Sequence, residues 1–375
     1  NPIIKPLRRL LIMINIILAI ATSLLVAILA TPALIKVAYL KRLVDEPGEE
    51  RKLHFRRIPT IGGIIIFAGT LFSYLMWYPF SEMADIGQMG RALKDFQYIG
   101  ATMIILFFIG IKDDIIGTAP VKKLVGHLLV AFILVIMGDI RITSMHGIFG
   151  IEQIPEWASI FLSIVTYTVI VNAINLIDGV DGLAGGIGVI AAISMGIWFQ
   201  LAGAIEHAVL AFALAGSLLG FLVYNFSPAK IFMGDSGSLT IGLILSILAI
   251  KLIEYPVEQL PNELLGVSRP VFAMAALVYP LTDTLRIFVY RIVRGMSPFA
   301  ADRNHIHHRL LEMGYGHRRI VLLVYATSIF MILLSTSIRQ EPSAVFIIMV
   351  VVSLLFSQIP GLITYIKRKR TSPAS

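Results

Sequence analysis

Long apolar runs, separated by short polar stretches, follow one another along the whole chain. A membrane-spanning helix requires about 20 apolar residues. Four of the runs have uncharged cores shorter than this, and these cross a bilayer only with charged residues at their ends. The pattern predicts an all-α polytopic membrane protein with about eleven transmembrane helices, at residues 10–35, 61–80, 96–112, 123–138, 157–177, 183–204, 207–225, 236–253, 270–289, 320–338 and 343–366.

Basic residues are distributed unequally between the polar segments. Most of the 31 Lys and Arg lie after odd-numbered predicted spans or in the C-terminal tail. Because cytoplasmic loops are enriched in Lys and Arg, we expect the N-terminus outside and the C-terminus in the cytoplasm, although Lys5, Arg8 and Arg9 favour the reverse. No internal repeat or linker divides the chain, so we expect residues 1–375 to form one domain.

The composition excludes several classes of protein. The chain is 57% hydrophobic and 14% charged, whereas a soluble domain is about 25% charged. A water-soluble protein of this composition is therefore excluded. The net charge of +8 is explained by cytoplasmic loops, and we expect no nucleic-acid partner. With no cysteine, the chain has no disulfide, no thiolate nucleophile and no cysteine-based zinc site.

The acidic residues differ between the two predicted membrane faces. The inner boundary, from the third span onward, carries mainly aspartates, whereas the outer one carries mainly glutamates. Helix capping explains single aspartates, but caps are expected on both faces. Because Mg²⁺ prefers oxygen ligands in a strict geometry, this one-sided cluster predicts a site for metal and phosphate chemistry. Its members are Asp113, Asp114, Asp178, Asp181, Asp235, Asp283 and Asp302.

The inner aspartates lie within polar motifs. The adjacent pair at the end of the third span repels and requires a nearby cation. Residues 172–186 interleave Asn, Asp and Gly, which favours a polar binding loop over simple helix packing and does not fit a nucleotide-binding GxGxxG turn. Asp235 is followed by Ser and Gly at a predicted helix start, which is typical either of an anion site or of an ordinary cap. Residues 302–309 combine His with Arg, which favours a phosphate pocket over zinc or a plain membrane-surface loop.

Five motifs, which include these and one at residues 58–63, occur in an order that resembles the polyprenyl-phosphate N-acetylhexosamine-1-phosphate transferase family over nearly the whole chain. In residues 297–308 the sequence resembles the branch that transfers GlcNAc-1-phosphate. Ile306 interrupts the three consecutive histidines typical of the phospho-MurNAc-pentapeptide branch. Where the family commonly has a lysine this chain has Arg56 and Arg57, and where the family often has a glutamine it has His127. These departures affect the expected substrate contacts rather than the expected reaction. The five motifs are Ile58–Gly63, Asp113-Asp114, Asn175–Gly182, Phe232–Gly237 and His305–His308.

The resemblance implies an enzyme of the bacterial cytoplasmic (inner) membrane that uses Mg²⁺ or Mn²⁺. Its partners would be UDP-GlcNAc, undecaprenyl phosphate, the lipid bilayer and a second copy in a homodimer. The products would be undecaprenyl-diphospho-GlcNAc, which initiates cell-envelope polysaccharide synthesis, and UMP. Our hypothesis is that Asp235 binds the metal, that Asp113 is the base or orienting group for the attacking lipid phosphate, and that Asp114 assists. The implied substrate-binding residues are Asn175, Asp178, Asp181, Asn225, Phe232, Lys123, Arg291, Arg303, His305, His307 and His308.

The sequence leaves two alternative functions open. One is transfer of phospho-MurNAc-pentapeptide, and the other, from a different class, is a nucleotide-sugar transporter. Transporters place ionisable groups near the bilayer midplane between internal repeats. Here Asp283 and Lys251 are the only candidates for deeper charge, and no repeat is visible. Direct attack by the lipid phosphate is simpler than a covalent aspartyl intermediate, because a phosphate oxygen is already a nucleophile.

Overall fold

The computed structural model describes residues 4–45, 57–80, 86–296 and 305–371. A two-stranded antiparallel sheet joins β1 (Val44–Asp45) to β2 (Ile58–Pro59). All other long elements in these residues are helices. They are α1 (Ile4–Leu40), α2 (Gly63–Met76), α3 (Ile86–Ile116), α4 (Pro120–Phe132, continued by a π-helical turn to Met137), α5 (Glu156–Leu176), α6 (Leu183–Ala202), α7 (Ile205–Asn225), α8 (Gly234–Ile253), α9 (Arg269–Ala276), α10 (Val278–Val293), α11 (Ile306–Glu312), α12 (His317–Ser337) and α13 (Pro342–Thr371).

The helices confirm a polytopic membrane protein. Within the described part of the chain, eight are long and apolar enough to cross a bilayer: α1, α4, α5, α6, α7, α8, α12 and α13. The α9–α10 pair, bent by 80°, adds a ninth if it counts as one span. The second and third predicted segments form α2 and α3, which are not among the eight. The predicted total of eleven and the predicted orientation of the termini remain predictions.

Helix α8 is the centre of the bundle. Between its ends it is almost entirely apolar, and a helix that is apolar on every side is buried on every side. In its most apolar 18-residue window 94% of the residues are buried, against 22% for α1 and 17% for α13. Helices α3 and α5 pack on α8. Its first turn therefore holds a fixed position at one end of the bundle.

Two glycines bring neighbouring helices into contact with this first turn. A side chain at Gly63, the first residue of α2, would collide with the backbone of Gly237. A side chain at Gly110 in α3 would collide with the backbone of Ser236. The absence of Cβ atoms thus allows α2 and α3 to approach the start of α8 at backbone distance. The Asp113-Asp114 end of α3 lies beside this contact.

The segment before α2 pairs with the segment before α8 through its backbone. The Phe232 amide donates to the Pro59 carbonyl at 2.7 Å, and the Gly62 amide donates to the Phe232 carbonyl at 3.0 Å. The Gly63 amide donates to the Met233 carbonyl at 2.8 Å. Two motifs separated by about 170 residues in the sequence therefore form one wall at the same end of the bundle.

Candidate active site

A lysine lies between two carboxylates at the end of the bundle. The Lys123 ammonium contacts Asp113 Oδ2 at 2.7 Å and Asp235 Oδ2 at 2.5 Å. The chain turns after α3 through Gly117, whose φ is +70°, and Pro120 begins α4 where its missing N–H costs no hydrogen bond. This turn places Lys123, in the first turn of α4, over the end of α3. All three side chains are between 16% and 23% exposed, so substrate and water reach them.

Asp114 caps the N-terminus of α8. Its Oδ1 accepts the Asp235 amide at 2.6 Å, and its Oδ2 accepts the Ser236 amide at 3.1 Å and the Ser236 hydroxyl at 2.5 Å. The first amides of a helix lack intrahelical partners, and a negative charge beside them is favourable. Gly234, with φ of +71°, allows this approach, because its Cβ would lie 2.6 Å from Asp114 Oδ1. Asp114 therefore fixes the backbone that carries Asp235.

Asn175, in the last turn of α5, holds the other side of the Asp235 carboxylate. Its amide nitrogen donates to Asp235 Oδ1 at 3.1 Å and to the Ser238 hydroxyl at 2.8 Å. The Lys123 ammonium contacts Asp235 Oδ2, so both oxygens of the Asp235 carboxylate are held by hydrogen-bond partners. Three helices, α4, α5 and α8, thus converge on one carboxylate.

The loop between α5 and α6 adds two aspartates with opposite electrostatics. Burial raises the pKa of Asp178 well above its ordinary value, and the nearby carboxylates, foremost Asp235, raise it further. Burial also acts to raise the pKa of Asp181, but His317 and the Ala229 amide outweigh it and the pKa is lowered. Asp181 Oδ2 accepts the Ala229 amide at 3.1 Å and lies 3.6 Å from His317 Nδ1. Asp181 therefore anchors the loop, whereas Asp178 is a carboxylate whose charge is poorly compensated.

Asn225 connects the two loops that flank the site. It is 3% exposed, its side-chain oxygen accepts the Gly182 amide at 3.0 Å, and its side-chain nitrogen donates to the Ile231 carbonyl at 2.9 Å. Because both ends of the amide are engaged with backbone, Asn225 shapes the wall of the site. Phe232, beside Ile231, has a half-buried side chain.

The histidine motif packs against the α5–α6 loop. His305 Nδ1 lies 2.8 Å from Asp283 Oδ2, and the His305 and His307 rings stack with centroids 5.4 Å apart and planes within 13°. A Cβ on Gly179 would lie 3.1 Å from His307 Nε2. The motif, which is more than 120 residues away in the sequence, thus borders the same site as Asp178.

The residues present fit a hard divalent cation. In the described part of the chain no three His, Asp or Glu side chains converge as a complete metal cage. Mg²⁺, however, is usually bound by one or two carboxylates together with water and substrate phosphates. Asp113 and Asp235 already converge on a positive charge, and Asp113 Oδ1 is buried with no hydrogen-bond partner in the described structure. These two carboxylates are therefore the candidates for metal ligands.

Comparison with known proteins identifies the family. Residues 96–253 match the model of glycosyl transferase family 4. The chain is 31% identical over 364 residues to the probable undecaprenyl-phosphate N-acetylglucosaminyl 1-phosphate transferase of Bacillus subtilis. The aligned region covers 96% of this chain and 95% of the relative. The chain belongs to glycosyl transferase family 4. The resemblance drawn from the five motifs is thereby confirmed.

Other family 4 relatives come from distant bacteria. The decaprenyl-phosphate N-acetylglucosaminephosphotransferase of Mycobacterium leprae is 34% identical over 298 residues, covering 74% of this chain and 72% of the relative. The undecaprenyl-phosphate alpha-N-acetylglucosaminyl 1-phosphate transferase of Escherichia coli O157:H7 is 29% identical over 296 residues, covering 77% and 74%. The matched family region contains α8 and the Asp113, Lys123 and Asp235 cluster, whereas the histidine motif lies beyond it.

The structure gathers most of the predicted site residues of this family 4 protein at one end of the bundle. Arg291 is buried in the last turn of α10, and His308 packs on His307 with ring centroids 4.4 Å apart. Arg303 lies outside the described residues. The sequence places Asp283 in the one-sided aspartate cluster but gives it no individual role, and it gives no signal for Ser236.

Proposed function

We propose that this family 4 protein transfers GlcNAc-1-phosphate from UDP-GlcNAc to undecaprenyl phosphate, giving undecaprenyl-diphospho-GlcNAc and UMP. The observation that carries the proposal is the Asp113, Lys123 and Asp235 cluster, which is partly exposed at the end of a bundle of apolar helices. A lipid phosphate that is anchored in the bilayer and a soluble nucleotide sugar meet only at such a boundary. The names of the relatives from Bacillus and Escherichia support this donor sugar and this lipid.

The transfer is an exchange of one P–O bond for another. An oxygen of the lipid phosphate attacks the β-phosphorus of UDP-GlcNAc, the bond from that phosphorus to the bridging oxygen breaks, and UMP leaves with the electron pair. Asp113 orients the attacking phosphate and accepts its proton if it arrives as the monoanion. Lys123 neutralises charge where the two anions approach each other. No covalent intermediate with the protein is required, because the acceptor is itself a nucleophile.

Asp235 and Asp113 would hold Mg²⁺ or Mn²⁺. When bound, the metal neutralises negative charge on the diphosphate oxygens. The chain's own groups prepare this place: Asn175 orients the Asp235 carboxylate, and Asp114 fixes the backbone of Asp235. Asp114 thus assists the reaction by positioning, and Lys123 contributes a positive charge beside the same two carboxylates.

The donor lies on the side of the α5–α6 loop and the histidine motif. The hydrogen-bonded loops and the imidazole rings packed against them support recognition of the uridine, the diphosphate and the sugar there. Asn225 and Asp181 maintain the loops, while the remaining residues contact the donor. These are Asn175, Asp178, Phe232, Arg291, Arg303, His305, His307 and His308.

The proposed topology has eleven spans in one domain of residues 1–375. Counting α2, α3 and the bent α9–α10 pair with the eight apolar helices gives this number. In this topology the N-terminus is outside and the C-terminus is cytoplasmic. The site then lies on the cytoplasmic face of the bacterial inner membrane, in contact with the compartment that contains UDP-GlcNAc. The product initiates cell-envelope polysaccharide synthesis, and the enzyme is a homodimer.

The test is release of UMP by the purified full chain in detergent. With UDP-GlcNAc, undecaprenyl phosphate and Mg²⁺ we expect UMP in equal amount to the lipid product, and Asp235→Asn should lower the rate at least about 100-fold. Asp139→Asn is the matched control, since Asp139 is exposed in an outer loop, and its rate should not change.

Three outcomes would overturn the proposal. The donor is wrong if UDP-MurNAc-pentapeptide is used in preference to UDP-GlcNAc. The metal-binding role is wrong if Asp235→Asn retains normal Mg²⁺-dependent release. The class is wrong if proteoliposomes accumulate intact UDP-GlcNAc and form no lipid product, which is the behaviour of a transporter.

A further inference from the structure

A completely buried carboxylate lies behind the histidine motif. Asp283, in α10, is 0% exposed. Its Oδ2 lies 2.8 Å from His305 Nδ1, and its Oδ1 accepts the Ile306 amide at 2.9 Å and lies 3.2 Å from Arg286 Nη2. A carboxylate without water is costly unless its oxygens are hydrogen-bonded and its charge is balanced. Here both oxygens are engaged, and Arg286 supplies the opposite charge.

These contacts fix the position of His305 in two ways. Ile306 is the first residue of α11, so its amide is one that no carbonyl of the helix accepts, and Asp283 binds it. The start of α11 is thus attached to α10. The same carboxylate receives the His305 ring, which is 5% exposed and stacks on His307. Both the backbone and the ring of His305 are therefore held by one side chain.

The contact also selects the tautomer of the ring. Of the two nitrogens of a neutral imidazole, one donates and the other accepts, and the hydrogen bond at one nitrogen decides the role of the other. Because the ionised Asp283 only accepts, His305 carries its proton on Nδ1. Nε2 is then the nitrogen that is presented to a ligand, as in other sites where a buried carboxylate orients an imidazole.

We propose that Asp283 is a positioning residue for donor recognition, which holds His305 in the Nδ1–H tautomer so that Nε2 meets the phosphates or sugar of the nucleotide sugar. The inference rests on the proposed function, since it assumes that His305 contacts the donor. Its geometric basis is independent of that assumption. His307, stacked on His305, lies against Gly179 of the α5–α6 loop, so the ring held by Asp283 belongs to the wall of the candidate active site.

The kinetic test is a double-mutant cycle on the full chain. Asp283→Asn preserves shape but offers a single acceptor oxygen, and we expect kcat/KM for UMP release to fall about 10- to 100-fold. His305→Gln should cause a loss of similar size. If Asp283 acts through His305, adding Asp283→Asn to His305→Gln changes the rate by less than about twofold. Glu312→Gln, which removes a carboxylate from the exposed end of α11, is the control and should leave the rate unchanged.

A merely structural role for Asp283 predicts a different result. In that case its substitution would lower the rate by the same factor in both backgrounds, and the inference would be overturned. Full activity of His305→Gln would overturn it as well.

The tautomer is measured directly by ¹⁵N NMR of histidine-labelled protein in lipid. The chain has eight histidines, so the His305 signals are assigned by their absence in His305→Gln. We expect a protonated Nδ1 in the native protein and loss of this preference in Asp283→Asn. A native ring with bare Nδ1 and protonated Nε2 refutes the inference. If the native protein releases no UMP from UDP-GlcNAc, the proposed function fails, whereas this spectrum still decides the role of Asp283.

Discussion

Substitution of Asp114 by asparagine separates positioning from direct participation in the reaction. Asp114 accepts three hydrogen bonds at the start of α8, from the amides of Asp235 and Ser236 and from the Ser236 hydroxyl. Asparagine retains one acceptor oxygen and turns an NH₂ group towards donors. At most two of the three bonds are kept afterwards, both to Ser236, and Asp235 then loses the acceptor that fixes its backbone amide.

The size of the effect follows from the bonds that are lost. A hydrogen bond to a charged group contributes about 1.5–3 kcal/mol when buried, and less at a site that is partly exposed. For one bond lost outright and two bonds that no longer end on a charged acceptor, we expect about 2–3 kcal/mol in total. If this appears as displacement of Asp235 in the transition state, kcat falls about 30- to 150-fold, since each 1.36 kcal/mol is a factor of ten. Ser236→Ala removes only the hydroxyl bond, and we expect about 1.5 kcal/mol, or about tenfold.

The measurement is UMP release as a function of Mg²⁺ concentration, with the unfolding temperature recorded in the same detergent. We expect both substitutions to raise the Mg²⁺ concentration for half-maximal activity, in the order Asp114→Asn above Ser236→Ala. Asp139→Asn again serves as the control. The capping explanation is refuted if Asp114→Asn keeps kcat within about threefold. A loss beyond about 10⁴-fold refutes it in the other direction, because a carboxylate that takes part in the reaction itself would then be required.

Further results are expected from other single substitutions. Asp178→Asn should raise the unfolding temperature, because folding raises the pKa of this carboxyl and its charge therefore destabilises the folded protein. The gain in unfolding temperature should be complete at pH values above the folded-state pKa and should vanish below the ordinary pKa of about 3.9. Asp181→Asn should lower the unfolding temperature. This loss should be present at pH values above the ordinary pKa of about 3.9 and should disappear as the pH falls through the lowered folded-state pKa. If both substitutions changed the unfolding temperature in the same direction, the opposite electrostatic surroundings inferred for the two aspartates would be wrong. Lys123→Met should reduce UMP release about 100-fold or more, because the two carboxylates it contacts then repel, and a rate within tenfold would exclude this role. Gly63→Ala should cost about 1–3 kcal/mol of stability by overpacking against the start of α8, whereas Gly100→Ala, which meets open space, should be neutral or slightly stabilising in denaturation measurements.

Scarcity of charge is what made the site predictable from the sequence. In a chain that is 14% charged, an aspartate at a membrane boundary is rarely incidental. Asp113, Asp178 and Asp235 were selected on this ground, and the structure brings them to one end of the bundle. The all-helical architecture followed in the same way from the lengths of the apolar runs.

Local sequence does not reveal which partner a polar group finds. Asp113 and Asp114 are adjacent and chemically identical, yet one contacts Lys123 while the other caps α8. That difference arises because successive residues on a helix point in directions about 100° apart, since there are about 3.6 residues per turn, and only the packed neighbours decide what lies there. Asn225 likewise binds two backbone groups from different loops.

The bend between α9 and α10 was also missed, although a signal existed. The ninth predicted span runs without a polar interruption through Leu277, where the structure bends by 80°. Pro280 lies in the first turn of α10, a position at which proline is tolerated and before which helices tend to break. Hydropathy alone cannot register such a break, because it measures composition and not backbone direction.

The burial of α8 has a consequence for selective inhibition. The Asp235 carboxylate lies on the most enclosed helix of the bundle, inside the region that matches the family model. His305 and His307 lie at the start of the short helix α11, outside that region. A compound that binds across Lys123 and Asp235 should therefore act on many family members at once. One whose affinity depends on the imidazole stack and on Ile306 should discriminate between them.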